Sequence, residues 1–300
     1  MLRIAFIGQE NAFSKTALAP LLLPYDPRWK IALVVTSCER VGTFRMHKLC
    51  MPSQGAASSA PTPHERILNV PHLLTTNINS STAHDHIQAQ RIDMALCVGS
   101  DRLFSQETLR ITPRGFLNVH PSALPKLRGP CPLFWTVKNG MTLSSVTLHW
   151  MDAQEDHGPI IDMRPFKIEP RATYEQLHRA ASEAAIPMIR DALLRIVENR
   201  LQSIPQEHSL ATRARRPKYT DVQIDPMQWD IEPLANFITM ARGVRTAWMR
   251  AGDETFYFER AERTEPLATL PGSHVRIDDR VLLQCKDGVL HTQIQTVNNT

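Results

Sequence analysis

Residues 115–129 read Gly115-Phe116-Leu117-Asn118-Val119-His120-Pro121-Ser122-Ala123-Leu124-Pro125-Lys126-Leu127-Arg128-Gly129. Phe116, Leu117 and Val119 give the segment an apolar run of strand length, opened by a glycine and closed by Pro121. It reads as a buried strand over Gly115–His120 entering a proline-bounded loop. Asn118 and His120 interrupt the run at alternate positions. Side chains alternate across a strand, so both emerge on one face. An apolar strand ending in a polar pair fits an open α/β sheet, which builds its sites at the carboxyl ends of its strands.

The flanking sequence supports such a sheet. Leu2–Gly8, Ile31–Thr36, Asp93–Gly99 and Ser145–Trp150 are further short apolar runs, near-continuous rather than alternating. Strands of that kind are buried on both faces, and the long connections between them suit helical crossovers. A helix is expected around Lys15–Leu23. The expected fold is therefore a Rossmann-like, mostly parallel sheet with helices on both faces. Thr173–Arg200 has helical periodicity through Leu177, Ala181, Ala184, Ile189, Leu193 and Val197, and Pro187 within it predicts a kink or two consecutive helices.

Composition shifts at Thr212–Thr220, which is polar, basic and broken by Pro217, and reads as a linker. A helix over Glu232–Ala241 follows, then short strands at Thr255–Glu259, His274–Ile277, Val281–Cys285 and Val289–Ile294, with Asp287-Gly288 as a hairpin turn. This tail reads as a small OB-like β-barrel. The boundaries are 1–205 for the first domain, 206–220 for the linker and 221–300 for the β-barrel domain. Pro52–Pro63, rich in Ser, Ala and Pro, reads as a loop.

The fifth strand runs into Met151-Asp152-Ala153-Gln154-Glu155-Asp156-His157-Gly158-Pro159-Ile160-Ile161, a carboxylate cluster ahead of a glycine turn. Asp152, Glu155 and Asp156 each have the reach of a partner for His120; spacing and the following Gly158 favour Asp156. The pattern N-x-H-P-S-x-L-P-x-x-R-G followed by D-x-G-x-I resembles the family of formyltransferases that use 10-formyltetrahydrofolate. The likeness extends to the N-terminal strand, to the strand ending in Val98-Gly99 and to the tail Leu270-Pro271-Gly272-Ser273-His274 with Lys286-Asp287-Gly288, so it covers nearly the whole chain.

The resemblance implies a catalytic trio of Asn118, His120 and Asp156. It implies folate contacts from Ser122, Ala123, Leu124 and Pro125, with Val98, Gly99 and Gly158 beside them. In such a reaction a neutral amine attacks a formamide carbon, and the carbonyl oxygen becomes an oxyanion that needs positioned donors. Asn118 and a protonated His120 are expected to supply them, with Asp156 favouring the imidazolium and helping to take the amine's proton. 10-Formyltetrahydrofolate enters as co-substrate, and neither a covalent intermediate nor a metal is required. The chain departs from the family pattern at His157, where a small hydroxyl residue is usual, and at Ala123, where leucine is usual.

Composition narrows the alternatives. The chain has 300 residues, 42% hydrophobic and 21% charged, with a net charge of +4, which suits an ordinary globular protein with a sizeable core. Gly8 lacks the further glycines of a dinucleotide fingerprint, which argues against a nicotinamide cofactor. The five cysteines are scattered, with no C-x-x-C pair, and the opening apolar run is too short for a membrane span. Both fit a cytoplasmic protein.

The acceptor is the open question. Members of the family that act on tRNA carry a dense basic loop after the second strand. The corresponding stretch here, Ser37–Lys48, holds Arg40, Arg45 and Lys48 among Glu39 and apolar residues, and phosphate contact needs clustered positive charge. The expected acceptor is therefore a small-molecule amine, such as an amino sugar or a biosynthetic intermediate. The Arg213, Arg215, Arg216, Lys218 stretch is most simply a solvated linker and resembles those of small-molecule members of the family, whereas the C-terminal domain suits methionyl-tRNA, which stands as the alternative. A folate-binding regulator without transfer activity is the third reading.

Overall fold

A computed structural model describes residues 1–23, 26–37, 70–100 and 102–295. The stretch 38–48 and the Pro52–Pro63 segment, to which the sequence assigns a weakly basic loop and a further loop, lie outside the described residues.

The chain divides into two compact units. The first comprises Met1–Gly129, Ser145–Phe166 and His178–Arg213, and the second Pro130–Ser144, Lys167–Leu177 and Ala214–Thr300. The first unit is built on a seven-stranded sheet. Its strands are β1 (Leu2–Gly8), β2 (Trp29–Ser37), β3 (His72–Thr75), β4 (Met94–Val98), β5 (Phe116–His120), β6 (Leu143–Trp150) and β7 (Ile160–Lys167), in the order β3-β2-β1-β4-β5-β6-β7. The pairs β2–β3, β1–β2, β1–β4 and β4–β5 are parallel, while β6 runs antiparallel to β5. This is the mostly parallel, Rossmann-like sheet that the apolar runs predict. β3 and β7 are additions at its two edges, where short or half-exposed strands give a weak hydrophobic signal.

One layer of the core packs Ala5, Ile7, Leu33 and Val35 of the sheet with Ala95, Cys97 and Phe116, under Ile78, Ile87 and Phe104. α1 (Ala12–Leu22) is capped by Asn11, whose side chain accepts from the Ser14 N–H. α2 (Ser81–Ala89) is capped in the same way by Ser80, and a short α3 covers Gln106–Leu109. α5 (Tyr174–Val197) is one helix of 24 residues that continues through Pro187, not two. Leu177, Ala181, Ala185, Met188, Ile189, Ala192 and Leu193 are all buried along it. An interior proline costs about 3 kcal/mol, and the burial of several side chains on either side, each worth about 1.5–3 kcal/mol, outweighs it.

The second unit carries α4 (Pro132–Lys138), α6 (Ile231–Ala241) and five strands: β8 (Trp248–Ala251), β9 (Glu254–Pro266), β10 (His274–Ile277), β11 (Arg280–Cys285) and β12 (Gly288–Ile294). They form an antiparallel sheet in the order β10-β11-β12-β9-β8, an OB-like half-barrel. The β11–β12 hairpin turns at Lys286-Asp287, where Cys285 pairs with Gly288. The rings of Phe134 and Phe237 meet edge to face at 5.7 Å and join α4 to α6. Cys97, Cys131 and Cys285 are buried and take part in no disulfide. Among the described residues, no helix is long and apolar enough to cross a membrane.

Candidate active site

β5 is an interior strand of the seven-stranded sheet, so its carboxyl end opens between neighbours on both sides. Cys97 of β4 lies beside Asn118 on one side, and His149 of β6 is its direct cross-strand partner on the other. Residues so paired reach each other, and Asn118 Nδ2 lies 3.1 Å from His149 Nε2. The His149 Nδ1 atom is 2.8 Å from the Trp150 carbonyl, which only accepts. Nδ1 therefore carries the ring proton, and Nε2 accepts from Asn118.

Asp156 arrives on the loop after β6, with a positive φ of 48° that asparagine and aspartate tolerate better than most residues. Its Oδ1 accepts the second Asn118 amide hydrogen at 3.1 Å, and its Oδ2 accepts the Gly129 N–H at 2.7 Å and lies 3.3 Å from His120 Nδ1. The structure thus brings Asn118, His120 and Asp156 into one hydrogen-bonded cluster, with His149 as a fourth member. The rival acids point elsewhere. Asp152 pairs with His157 Nδ1 at 2.6 Å, and Glu155 pairs with Arg213 at 2.8 Å.

His120 is 4% exposed, and its Nε2 lies 2.8 Å from the Leu127 carbonyl, so Nε2 carries a proton and donates. Burial pushes this imidazole below its ordinary range, and the opposing pull of Asp156 does not restore it. Desolvation works against the protonated ring that the sequence reading expects, while the Asp156 carboxylate 3.3 Å from Nδ1 works for it. Burial also pushes the Asp156 carboxyl up, but the neighbouring His120 and His149 and the Gly129 N–H more than offset it and hold Asp156 well below the usual carboxylate range. Asp156 is ionised.

The residues expected beside the folate divide into two groups. Ser122 is buried, its hydroxyl donates to the Lys126 carbonyl at 2.7 Å, and its own carbonyl accepts from Thr147 Oγ1 at 2.6 Å. Thr147 also accepts the Leu124 N–H at 3.3 Å, so one buried hydroxyl of β6 pins the loop. Leu124 is buried and is joined to Pro125 by a cis peptide bond, whereas Ala123 is exposed. Val98 is fully buried, and its carbonyl accepts from Ser14 Oγ at 2.6 Å. Gly99 has φ +76°, and a Cβ there would come within 3.0 Å of Ser14 Oγ. Gly158 is required for packing: a Cβ at that position would lie 2.0 Å from the Trp150 carbonyl oxygen.

Two participants escaped the sequence reading. His149 is marked only by being a polar residue in an apolar strand. Gln206, in the stretch read as linker, donates from Nε2 to the carbonyls of Asp156 and Gly158 at 2.9 and 2.8 Å. Two basic residues of that stretch are engaged locally: Arg213 with Glu155 within the first unit, and Arg215 with Asp221 within the second. Among the described residues, no group of three or more His, Cys, Asp or Glu is placed to hold a metal ion.

Comparison with known proteins bears on this cluster. Residues 2–193 match the model of the formyl transferase family. Methionyl-tRNA formyltransferase of Roseiflexus sp. strain RS-1 is 29% identical over 255 residues, covering 81% of this chain and 74% of that protein. Among solved structures, the N-formyltransferase from Helicobacter canadensis in complex with folinic acid and dTDP-3-aminofucose superposes with a TM-score of 0.65 at 16% identity, over 98% of this chain and 100% of that one. HypX from Aquifex aeolicus in complex with tetrahydrofolic acid superposes with the same TM-score at 15% identity, over 97% of this chain but only 43% of that longer protein. At these identities the two superpositions speak to the fold.

Proposed function

The chain belongs to the formyl transferase family and is a folate-dependent one-carbon transfer enzyme, and on that premise we propose that it moves the formyl group of 10-formyltetrahydrofolate to the amine of a small molecule, of the amino-sugar class or a biosynthetic intermediate. The observation that carries the transfer reading is the cluster at the end of β5, where an ionised Asp156 sits 3.3 Å from a His120 that donates from its far nitrogen.

The chemistry follows from those positions. The acceptor nitrogen attacks the formyl carbon; a C–N bond forms, and the carbonyl π pair moves onto oxygen. Asp156, held ionised, takes the proton that the nitrogen sheds, directly or through one water. As the oxygen becomes anionic, the His120 Nε2–H exchanges the neutral Leu127 carbonyl for a charged acceptor. Charge-assisted hydrogen bonds are about twice as strong as neutral ones, so the exchange is favourable only after charge has developed. That makes it a transition-state interaction rather than a ground-state one. Asn118 donates in the same way by exchanging the neutral His149 Nε2 for the oxyanion while its other amide hydrogen stays on Asp156. The bond to the folate nitrogen then breaks, the carbonyl re-forms, and the folate nitrogen takes up a proton. In balance, one proton moves from the acceptor nitrogen to the folate nitrogen.

The small-molecule assignment is supported by the pairing of two of the four basic residues of that stretch, Arg213 with Glu155 and Arg215 with Asp221. A phosphate backbone needs such charges available. Methionyl-tRNA is the second reading, favoured by the substrate named for the Roseiflexus relative. The buried cysteines Cys97, Cys131 and Cys285, none in a disulfide, suit a reducing compartment and support a cytoplasmic location. The test is formylation of a panel of nucleotide-linked amino sugars, other small amines and methionyl-tRNA. Product from small amines alone is expected. Product only from methionyl-tRNA would overturn the acceptor assignment, and folate binding without any product would return the protein to a non-catalytic folate-binding role.

A further inference from the structure

Gln206 is 6% exposed, lies 50 residues beyond Asp156 and uses both ends of its amide. Its Oε1 accepts from Arg128 Nη2 at 2.6 Å and from Arg128 Nε at 3.2 Å. Its Nε2 donates to the backbone carbonyls of Asp156 and Gly158, on either side of His157. Arg128 in turn precedes Gly129, whose N–H bonds the Asp156 carboxylate. One side chain thereby links the two loops between which that carboxylate is fixed.

The link acts where the backbone is least self-supporting. Asp156 has a left-handed φ of 48°, a conformation that costs a non-glycine residue about 1–2 kcal/mol. Such a residue stays in place only when its surroundings over-determine it. Only a primary amide accepts from a guanidinium at one end while donating two N–H groups at the other. We propose that Gln206, braced by Arg128, is a positioning residue of the transfer reaction, fixing the Asp156 backbone so that its carboxylate meets His120, Asn118 and the Gly129 N–H together. This rests on the formyl-transfer reading for its catalytic consequence, though not for its geometry. Gln206 touches no reacting atom and works through Asp156.

A double-mutant cycle tests the proposal. Gln206→Met should lower kcat about 10- to 100-fold with both KM values within about threefold, because small misplacements of a reacting group cost that much. In an Asp156→Asn background the same change should lower kcat less than about threefold, since the group being positioned is already disabled. Equal losses in both backgrounds, or a loss confined to KM, would overturn it. Gln206→Glu, of the same size and still paired with Arg128 but lacking the two donors, should reproduce the loss if the methionine variant does not fold. A readout without turnover separates this proposal from the reading beneath it. By NMR titration, His120 in Gln206→Met should shift towards its behaviour in Asp156→Asn. An unchanged His120 titration refutes the positioning role. A wild-type protein that transfers no formyl group to any acceptor, with the shift present, refutes the reaction reading and leaves the positioning intact.

Discussion

Replacing His149 with leucine removes a ring of similar size that makes two buried hydrogen bonds. The ring is 2% exposed; it donates to the Trp150 carbonyl at 2.8 Å and accepts from Asn118 at 3.1 Å. Leucine leaves the carbonyl without its donor and one Asn118 hydrogen without its acceptor, each costing about 1–3 kcal/mol when buried. The apolar side chain fills most of the space, so no large cavity term adds. A net destabilisation of about 2–4 kcal/mol is expected, which for a chain of this size lowers Tm by roughly 5–12 °C. Asn118 then keeps only Asp156 as anchor, and its amide gains freedom to rotate. A fall in kcat of about 10-fold or more should accompany the loss of stability, with KM for the folate little changed. Thermal unfolding by calorimetry and steady-state turnover below the lowered Tm measure the two effects independently. A variant that melts like the wild type and turns over at the wild-type rate would show that the Asn118–His149 bond does not organise the site.

Three further outcomes are expected. Gly158→Ala puts a Cβ 2.0 Å from the Trp150 carbonyl oxygen, so the Asp156 loop must shift; activity should fall at least about 10-fold, and a fully active alanine variant would contradict the packing described. Asp156→Asn removes the base while keeping shape, and kcat should drop about 100- to 10,000-fold, measured by release of tetrahydrofolate. Stability should fall on acidification: burial pushes His178 down to about 4 and lowers His72 and His120. The unfolded chain therefore takes up protons first, the stabilisation is complete above about pH 6.5 and is lost as pH falls towards about 4. His178→Gln should flatten the Tm–pH curve across that window, and an unflattened curve would remove His178 from the account.

Much of the site was legible because its parts lie close together in sequence. Alternation in a single strand fixes Asn118 and His120 on one face without any tertiary knowledge, and Asp156 follows a strand whose apolar run ends shortly before it. His149 was not legible in the same way. It meets Asn118 only through the antiparallel register of β5 and β6, and a one-residue slip of register would turn it to the other face. Gln206 is further still from local reading, since it sits among prolines and polar residues with the composition of a linker, and its burial arises from a contact 50 residues away in sequence. The charge balance at His120 depends on burial as well as on neighbours. From sequence the carboxylate is visible and the desolvation is not.

The same distinction runs through the fold. The central strands are buried on both faces and announce themselves as apolar runs. β3, β7 and β8, which carry partly exposed positions, do not. Pro187 is a strong local signal for a break, and it is overruled by an apolar face that continues on both sides of it. Local propensity loses to tertiary packing there for a reason of magnitude, because one missing hydrogen bond is set against the burial of a whole helix face.

The central claim is that the cluster of Asn118, His120 and Asp156 transfers a formyl group to an amine. Its most direct test uses 10-formyltetrahydrofolate labelled with 13C in the formyl group, incubated with the protein and the acceptor panel and followed by 13C NMR. The account predicts that the label leaves the folate and appears as an N-formyl amide on one class of acceptor, at a rate that collapses in Asp156→Asn. Label that stays on the folate with every acceptor, or that moves equally fast in Asp156→Asn, would contradict it.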